Sequence, residues 1–142
     1  MNQIFNMSDE GIQVILARHT LWLHSHGEEG KQADFSNLNL SEMNFTGFNL
    51  QKAIFCNTIL TGAIFYNCNL EEADFEWDIL IDADLRKANM KRANLRGAIV
   101  RNAHLEDCIL DDIFINLNTV GLTLACPEIG SFTCFTKVHS ND

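Results

Sequence analysis

Several residues in this 142-residue chain are of the types that catalytic, metal and phosphate sites use. His19, His24 and His26 lie close together, and imidazole is a common metal ligand. His24 and His26 flank a single residue, however, and no carboxylate or cysteine completes a recognised ligand spacing, so no metal is expected. They read instead as one capping histidine and two exposed helix-end histidines. Cys56, Cys68, Cys108, Cys126 and Cys134 are an odd, irregular set without a Cys-x-x-Cys pair. Such a set reads as reduced thiols, some of them core filler, rather than a disulfide framework. Arg86, Lys87, Lys91, Arg92, Arg96 and Arg101 hold six of the ten basic residues and invite a phosphate-binding reading. Asp78 is a carboxylate set among large apolar residues in "FEWDILIDADL", residues 75–85. No nucleophile elbow, phosphate loop or paired-carboxylate cleft is legible, so no catalytic residue and no cofactor is expected, and the chain reads as not an enzyme.

The totals bound what can position these groups. The length suits one domain with a sizeable core, and 46% hydrophobic with 20% charged residues is a globular composition. A net charge of −9 argues against direct nucleic-acid binding, which needs many phosphate-neutralising side chains. The opening "MNQIFNMSDE" lacks a basic region leading an apolar run, so no signal peptide is expected. No window approaches a membrane span. With reduced thiols, these features make the cytoplasm the expected compartment, with no membrane partner.

The organising element is a period of five. From Phe35 to Ile115, every fifth residue is apolar, 17 in 17 consecutive slots. Two places before each lies a second column, mostly Ala, Cys or another apolar residue, in which Thr58 and Asp78 are the polar members. Five residues turn a helix by about 500°, which scatters these positions around it. Five is also odd, so in a flat strand they would alternate faces. The period works when three residues are extended, first and third inward, and two turn a corner. Repetition then builds an all-β solenoid whose stacked coils share backbone hydrogen bonds.

"ADF" at 33–35, "ADFEW" at 73–77, "ADLRK" at 83–87, "ANMKR" at 88–92 and "ANLRG" at 93–97 resemble the pentapeptide-repeat family, with its motif A(D/N)LXX. The resemblance covers residues 33–117 and implies a right-handed quadrilateral β-helix of about four coils. It divides the chain into a capping helix and lead-in (1–32), the β-helix (33–117) and a tail (118–142). In a square coil, residue n sits beneath n+20. That separation gives eight opposite-charge corner pairs and no like pair: Lys52–Glu72, Glu71–Lys91, Glu72–Arg92, Glu76–Arg96, Arg86–Glu106, Lys87–Asp107, Lys91–Asp111 and Arg92–Asp112. The basic cluster therefore reads as a charge ladder, with Arg101 outside it.

Both ends of a β-helix need covering. In residues 8–26, Ser8 suits an N-cap, Asp9 and Glu10 the first turn, and Gly27 the stop. Ile12, Ile15, Leu16, His19, Trp22 and Leu23 form one helical face. After Ile115 Val120 keeps the count of five while Asn118 does not. The tail, with Pro127 and Gly130, is expected to cap the last coil, to exchange with a second chain, or to lead into a further domain.

On this scheme Asp78 points inward between Thr58 and Ala98, with Thr58 as its hydrogen-bond donor. A local bulge that turns Asp78 out and Trp77 in is the alternative. Outside the same side Ile59, Ile79 and Ile99 stack in the slot usually given to Asp or Asn, beside Trp77 and Ile81. A contiguous apolar patch of this kind usually marks an interface, with cover by the chain's own tail and a bare face as the other two readings. The chain is thus expected to be an interaction or scaffold protein that binds a protein partner or itself through this patch, or pairs through its tail. The resemblance also implies an alternative, mimicry of duplex DNA toward gyrase, as in the quinolone-resistance group.

Overall fold

The computed structural model describes residues 5–122 and 138–140. Parallel bridges join residues 20 apart on each of four sides, beginning Asp34–Ile54, Asn39–Ile59, Asn44–Ile64 and Asn49–Asn69. The coils form a right-handed quadrilateral β-helix. Each corner is made by a residue in the left-handed region two places after the central apolar residue, such as Asn37, Lys52, Trp77 and Arg92 at φ 58–62°. The next N–H then closes the turn, as Ala53 does onto the Leu50 carbonyl at 3.0 Å. An Asp or Asn before the central residue accepts a second corner N–H. Ser36 donates to Asp34 at 3.0 Å and Arg86 to Asp84 at 3.1 Å. This bond explains why those residue types recur in that slot.

The central residues alternate Phe and Leu as far as Leu80, which places phenylalanine on two opposite sides. Phe35, Phe55 and Phe75 stack at centroid distances of 5.0 and 4.9 Å, and Phe45 and Phe65 at 5.1 Å. The two columns meet edge to face across the solenoid at 5.6–6.1 Å. All five are fully buried.

The lower end is covered twice. Strand β1 (Phe5–Asn6) pairs in parallel with β2 (Leu38–Asn39), occupying the first strand edge. Helix α1 (Asp9–His24), capped by Ser8 accepting from the Gly11 N–H, buries Ile12, Leu16 and His19. His19 Nδ1 accepts the Ala33 N–H at 3.0 Å, and its ring stacks on Trp22. Burial holds its pKa below the usual histidine value, which keeps the imidazole neutral as this acceptor role requires. The helix ends one residue earlier than Gly27 alone suggests. His26 takes the left-handed position (φ 56°), and Gly27 donates to the Trp22 carbonyl at 2.8 Å.

At the upper end the period slips. Ile99 pairs with Val120 rather than with a residue 20 places on, because the connection at Asn116–Asn118, where the Asn118 N–H donates to Asn116 Oδ1, holds one extra residue. Thr119 takes the inward slot instead, and Val120 turns out to the surface. Strand β3 (Ile113–Ile115) pairs with β4 (Val138–Ser140), and His139 stacks on Phe114 at 5.0 Å. Cys126, Pro127, Gly130 and Cys134 lie outside the described residues.

Candidate functional site

The side that carries Asn39, Ile59, Ile79, Ile99 and Val120 on its outer row differs from the other three. Isoleucine cannot accept a corner N–H, so from Ile59 upward this side gives up the Asp/Asn turn bond and gains an apolar ridge. Ile59, Ile79 and Ile99 are half-buried and stack directly by bridges Ile59–Ile79 and Ile79–Ile99. Trp77 stands beside them at the corner, 52% exposed, stacked between Asn57 below and Gly97 above. An open groove results, lined by Trp77, Ile79, Gly97, Ile99 and Val120 with Asn57 and Asn118 at its rim. Ile59 continues the row below this groove, and Ile81 lies at the next corner, outside it. Sequence reasoning missed Gly97 and Val120, because a glycine and a register slip leave no apolar signal at the expected spacing.

Gly97 decides where the indole sits. A Cβ there would lie 2.6 Å from Trp77 Cδ2, closer than atoms pack, so the ring rests on bare backbone. Gly97→Ala is expected to swing Trp77 off this face while the coil persists, since many L-residues already adopt that corner's positive φ. Tryptophan fluorescence should shift to longer wavelength, with the far-ultraviolet dichroism unchanged.

Inside the same side Asp78 points to the core and is fully buried, and Trp77 points out, so the bulge is not adopted. The donor is not the Thr58 hydroxyl, as expected from sequence, but the Thr58 backbone N–H, 2.7 Å from Asp78 Oδ1. The hydroxyl turns to the Phe35 carbonyl at 2.8 Å, an acceptor the sequence count did not weigh. Burial drives the Asp78 carboxyl well above the usual carboxylate range, the charge of Asp74 adds to this, and the Thr58 N–H opposes it.

Cys56, Asp74 and Glu76 bring potential ligand atoms within 4.8 Å of one another. Burial, followed by a hydrogen bond to Asp74, pushes the Cys56 thiol up to about 12, so it stays protonated. Asp74 Oδ1 also accepts from Asn94 and the Glu76 N–H. The trio reads as a hydrogen-bonded surface cluster.

Two members of the basic cluster, Arg86 and Arg92, are paired with carboxylates, though not always with the residue one coil away. Lys52 reaches Glu72 at 3.7 Å, and Arg92 binds Glu72 at 2.7 Å as expected. Arg92 also takes Glu71 at 2.8 Å, while Arg86 turns back to Asp84 at 2.7 Å instead of crossing to Glu106. Arg96 lies over the Phe114 ring at 5.0 Å, not on Glu76. Long exposed side chains choose among nearly equal partners, so stacking predicts proximity better than pairing.

The family profile for pentapeptide repeats matches residues 39–76 and 80–112, in 8 copies. The matched blocks are interrupted at Trp77, Asp78 and Ile79, the residues that set this side apart. A pentapeptide repeat protein from Nostoc Pcc 7120 is similar over 83% of this chain and 87% of its own, with a TM-score of 0.67 and 22% identity. One from the cyanobacterium Cyanothece 51142 shares 33% identity over 66% of this chain and 67% of its own, at a TM-score of 0.39. QnrB1, a plasmid-mediated fluoroquinolone resistance protein, shares 14% identity over 82% and 70%, at a TM-score of 0.48. Only the first of these likenesses bears on the overall shape. No curated protein matches the sequence. Period, coil geometry and profile agree: the chain belongs to the pentapeptide-repeat family.

Proposed function

We propose that this protein is a non-enzymatic interaction module of the cytoplasm that binds a protein partner, or a second copy of itself, through the Ile59–Ile79–Ile99 side. The observation that carries the reading is the contiguous apolar row with an exposed tryptophan at its corner. Large exposed aromatics beside apolar grooves are the usual anchors of protein interfaces. Among the described residues no helix is long and apolar enough to cross a membrane. Engagement of Arg86 and Arg92 by carboxylates supports a structural role for the basic cluster over a phosphate site.

Ile79→Lys tests this. It places a charge in the middle of the row while leaving the inward residues alone, so the β-helix should keep its dichroism. Binding of the partner, or dimerisation in sedimentation, is expected to weaken about thirtyfold, the effect of losing an anchor of about 2 kcal/mol. Identical sedimentation and identical salt-resistant partners for both proteins would remove the reading. Gyrase recovered at low salt and lost at high salt, with Ile79→Lys unaffected, would favour charge mimicry instead, a reading that the −9 charge supports.

A further inference from the structure

Of the five inward-column side chains that bear a polar group, Cys108 bonds to its neighbour, the Ile109 carbonyl, at 3.9 Å, and the other four can be followed through the coils. Thr58 Oγ1 donates to the Phe35 carbonyl and Cys68 Sγ to the Phe45 carbonyl, both at 2.8 Å and both 23 residues back. Thr119 donates to the Leu95 carbonyl at 2.8 Å, 24 residues back because of the one-residue slip. In these three the slot aims a donor at one specific carbonyl of the coil below. The fourth is Asp78, and 23 residues back from it is Phe55.

The Phe55 carbonyl is short of a donor for a second reason. In the ordinary repeat the inward N–H closes the corner onto the preceding central carbonyl, as Asp78 does onto Phe75 at 3.2 Å. Thr58 should close onto Phe55 in this way, but its N–H goes to Asp78 Oδ1. Asp78 Oδ2 is meanwhile buried with no partner. By the same register these two buried acceptors lie one coil step apart, and a bare carboxylate cannot satisfy either.

We infer that Asp78 is held as the neutral carboxylic acid, its Oδ2–H donating to the Phe55 carbonyl while Oδ1 accepts from Thr58, so that a proton is a structural component of the apolar side. The raised pKa agrees with this. The ionisable groups acting on Asp78 or acted on by it are Asp74 and Cys56, and no cation is among the causes of its shift.

The consequence has a definite sign. The folded pKa lies above the unfolded one, so the stabilisation is complete below the ordinary carboxylate range and is lost as pH rises through the folded value. Within that window the unfolding constant should rise about tenfold per pH unit from this group. His19, whose pKa is lowered, contributes the opposite slope up to the ordinary histidine value. Comparison with Asp78→Asn cancels it. Asparagine offers the same acceptor to Thr58 and a permanent N–H to Phe55, so the variant should fold and lack the Asp78 slope.

The test pairs urea unfolding across pH 4–8 (about the carboxylate-to-histidine range) with the infrared spectrum of aspartate-labelled protein at neutral pH. The expected result is a protonated-acid carbonyl band in the wild type that is missing in Asp78→Asn, and two stability curves that converge at low pH and separate as pH rises. A wild type with no such band, a band that persists in the variant, or parallel curves would overturn the inference. A variant that fails to fold would overturn it too, since the amide supplies both bonds. The infrared measurement on the wild type stands without the variant.

Discussion

Phe55→Ala is expected to destabilise the β-helix by about 3–5 kcal/mol, the range for a fully buried phenylalanine whose site cannot collapse. Phe55 stacks between Phe35 below and Phe75 above at 5.0 and 4.9 Å, and meets Phe45 and Phe65 edge to face. Its removal opens a hole that touches both aromatic columns at once. The surrounding backbone is pinned by ladder bonds on both edges, such as the Phe55 N–H to Asp74 carbonyl at 2.8 Å, so the coil cannot close in. In a solenoid, stability is close to a sum of repeats and nearest-neighbour contacts. Damage to this coil should therefore split a single unfolding transition into two, with the coils above Phe55 melting apart from the first coil and its helical cap. Urea unfolding followed by dichroism and by tryptophan fluorescence checks this, because Trp22 reports on the capping helix and Trp77 on a coil above Phe55. Coincident transitions shifted by less than about 1 kcal/mol would contradict the packing argument.

Gly30→Ala is expected to cost about 2–3 kcal/mol, from one forced left-handed residue and one lost backbone hydrogen bond. Gly30 sits at φ +75° where the lead-in turns under helix α1. A Cβ there would lie 2.7 Å from the Trp22 nitrogen and closer still to the Arg18 carbonyl oxygen. Both are backbone atoms of the helix and cannot rotate aside. The Arg18 carbonyl is also the acceptor for the Lys31 N–H at 3.0 Å, the bond that fastens lead-in to helix. Pushing these apart draws His19 from the Ala33 N–H and uncovers the first coil. The loss should appear as a lower midpoint in thermal unfolding and as concentration-dependent aggregation, since an uncapped strand edge recruits other chains. A variant that keeps the wild-type midpoint and remains monodisperse would show that the cap is dispensable.

The sequence by itself determined the large, repeated features. The five-residue period fixes which residues face inward, and the alternation of Phe and Leu fixes two opposed aromatic columns. Ser8, the acids that follow it and the Ile12–Leu16–His19 spacing fix the capping helix. These are legible because the same burial term acts at every coil, so each repeat reinforces the reading of the next. The stacking of Ile59, Ile79 and Ile99 was legible for the same reason.

Tertiary structure decided what depends on a single choice between neighbours. Thr58 has both an N–H and a hydroxyl, and only the coil geometry assigns the first to Asp78 and the second to Phe35. Arg86 and Arg92 each lie near more than one carboxylate, and exposed ion pairs differ by under about 1 kcal/mol, too little for spacing to rank them. The slip that turns Val120 outward comes from the local bonding of Asn116 with Asn118 and Thr119. The support of Trp77 comes from a missing Cβ at Gly97, one coil away and 20 residues along the chain. Periodicity encodes energies that add over many coils, whereas these contacts turn on small differences at one place in space, where residues distant in sequence meet.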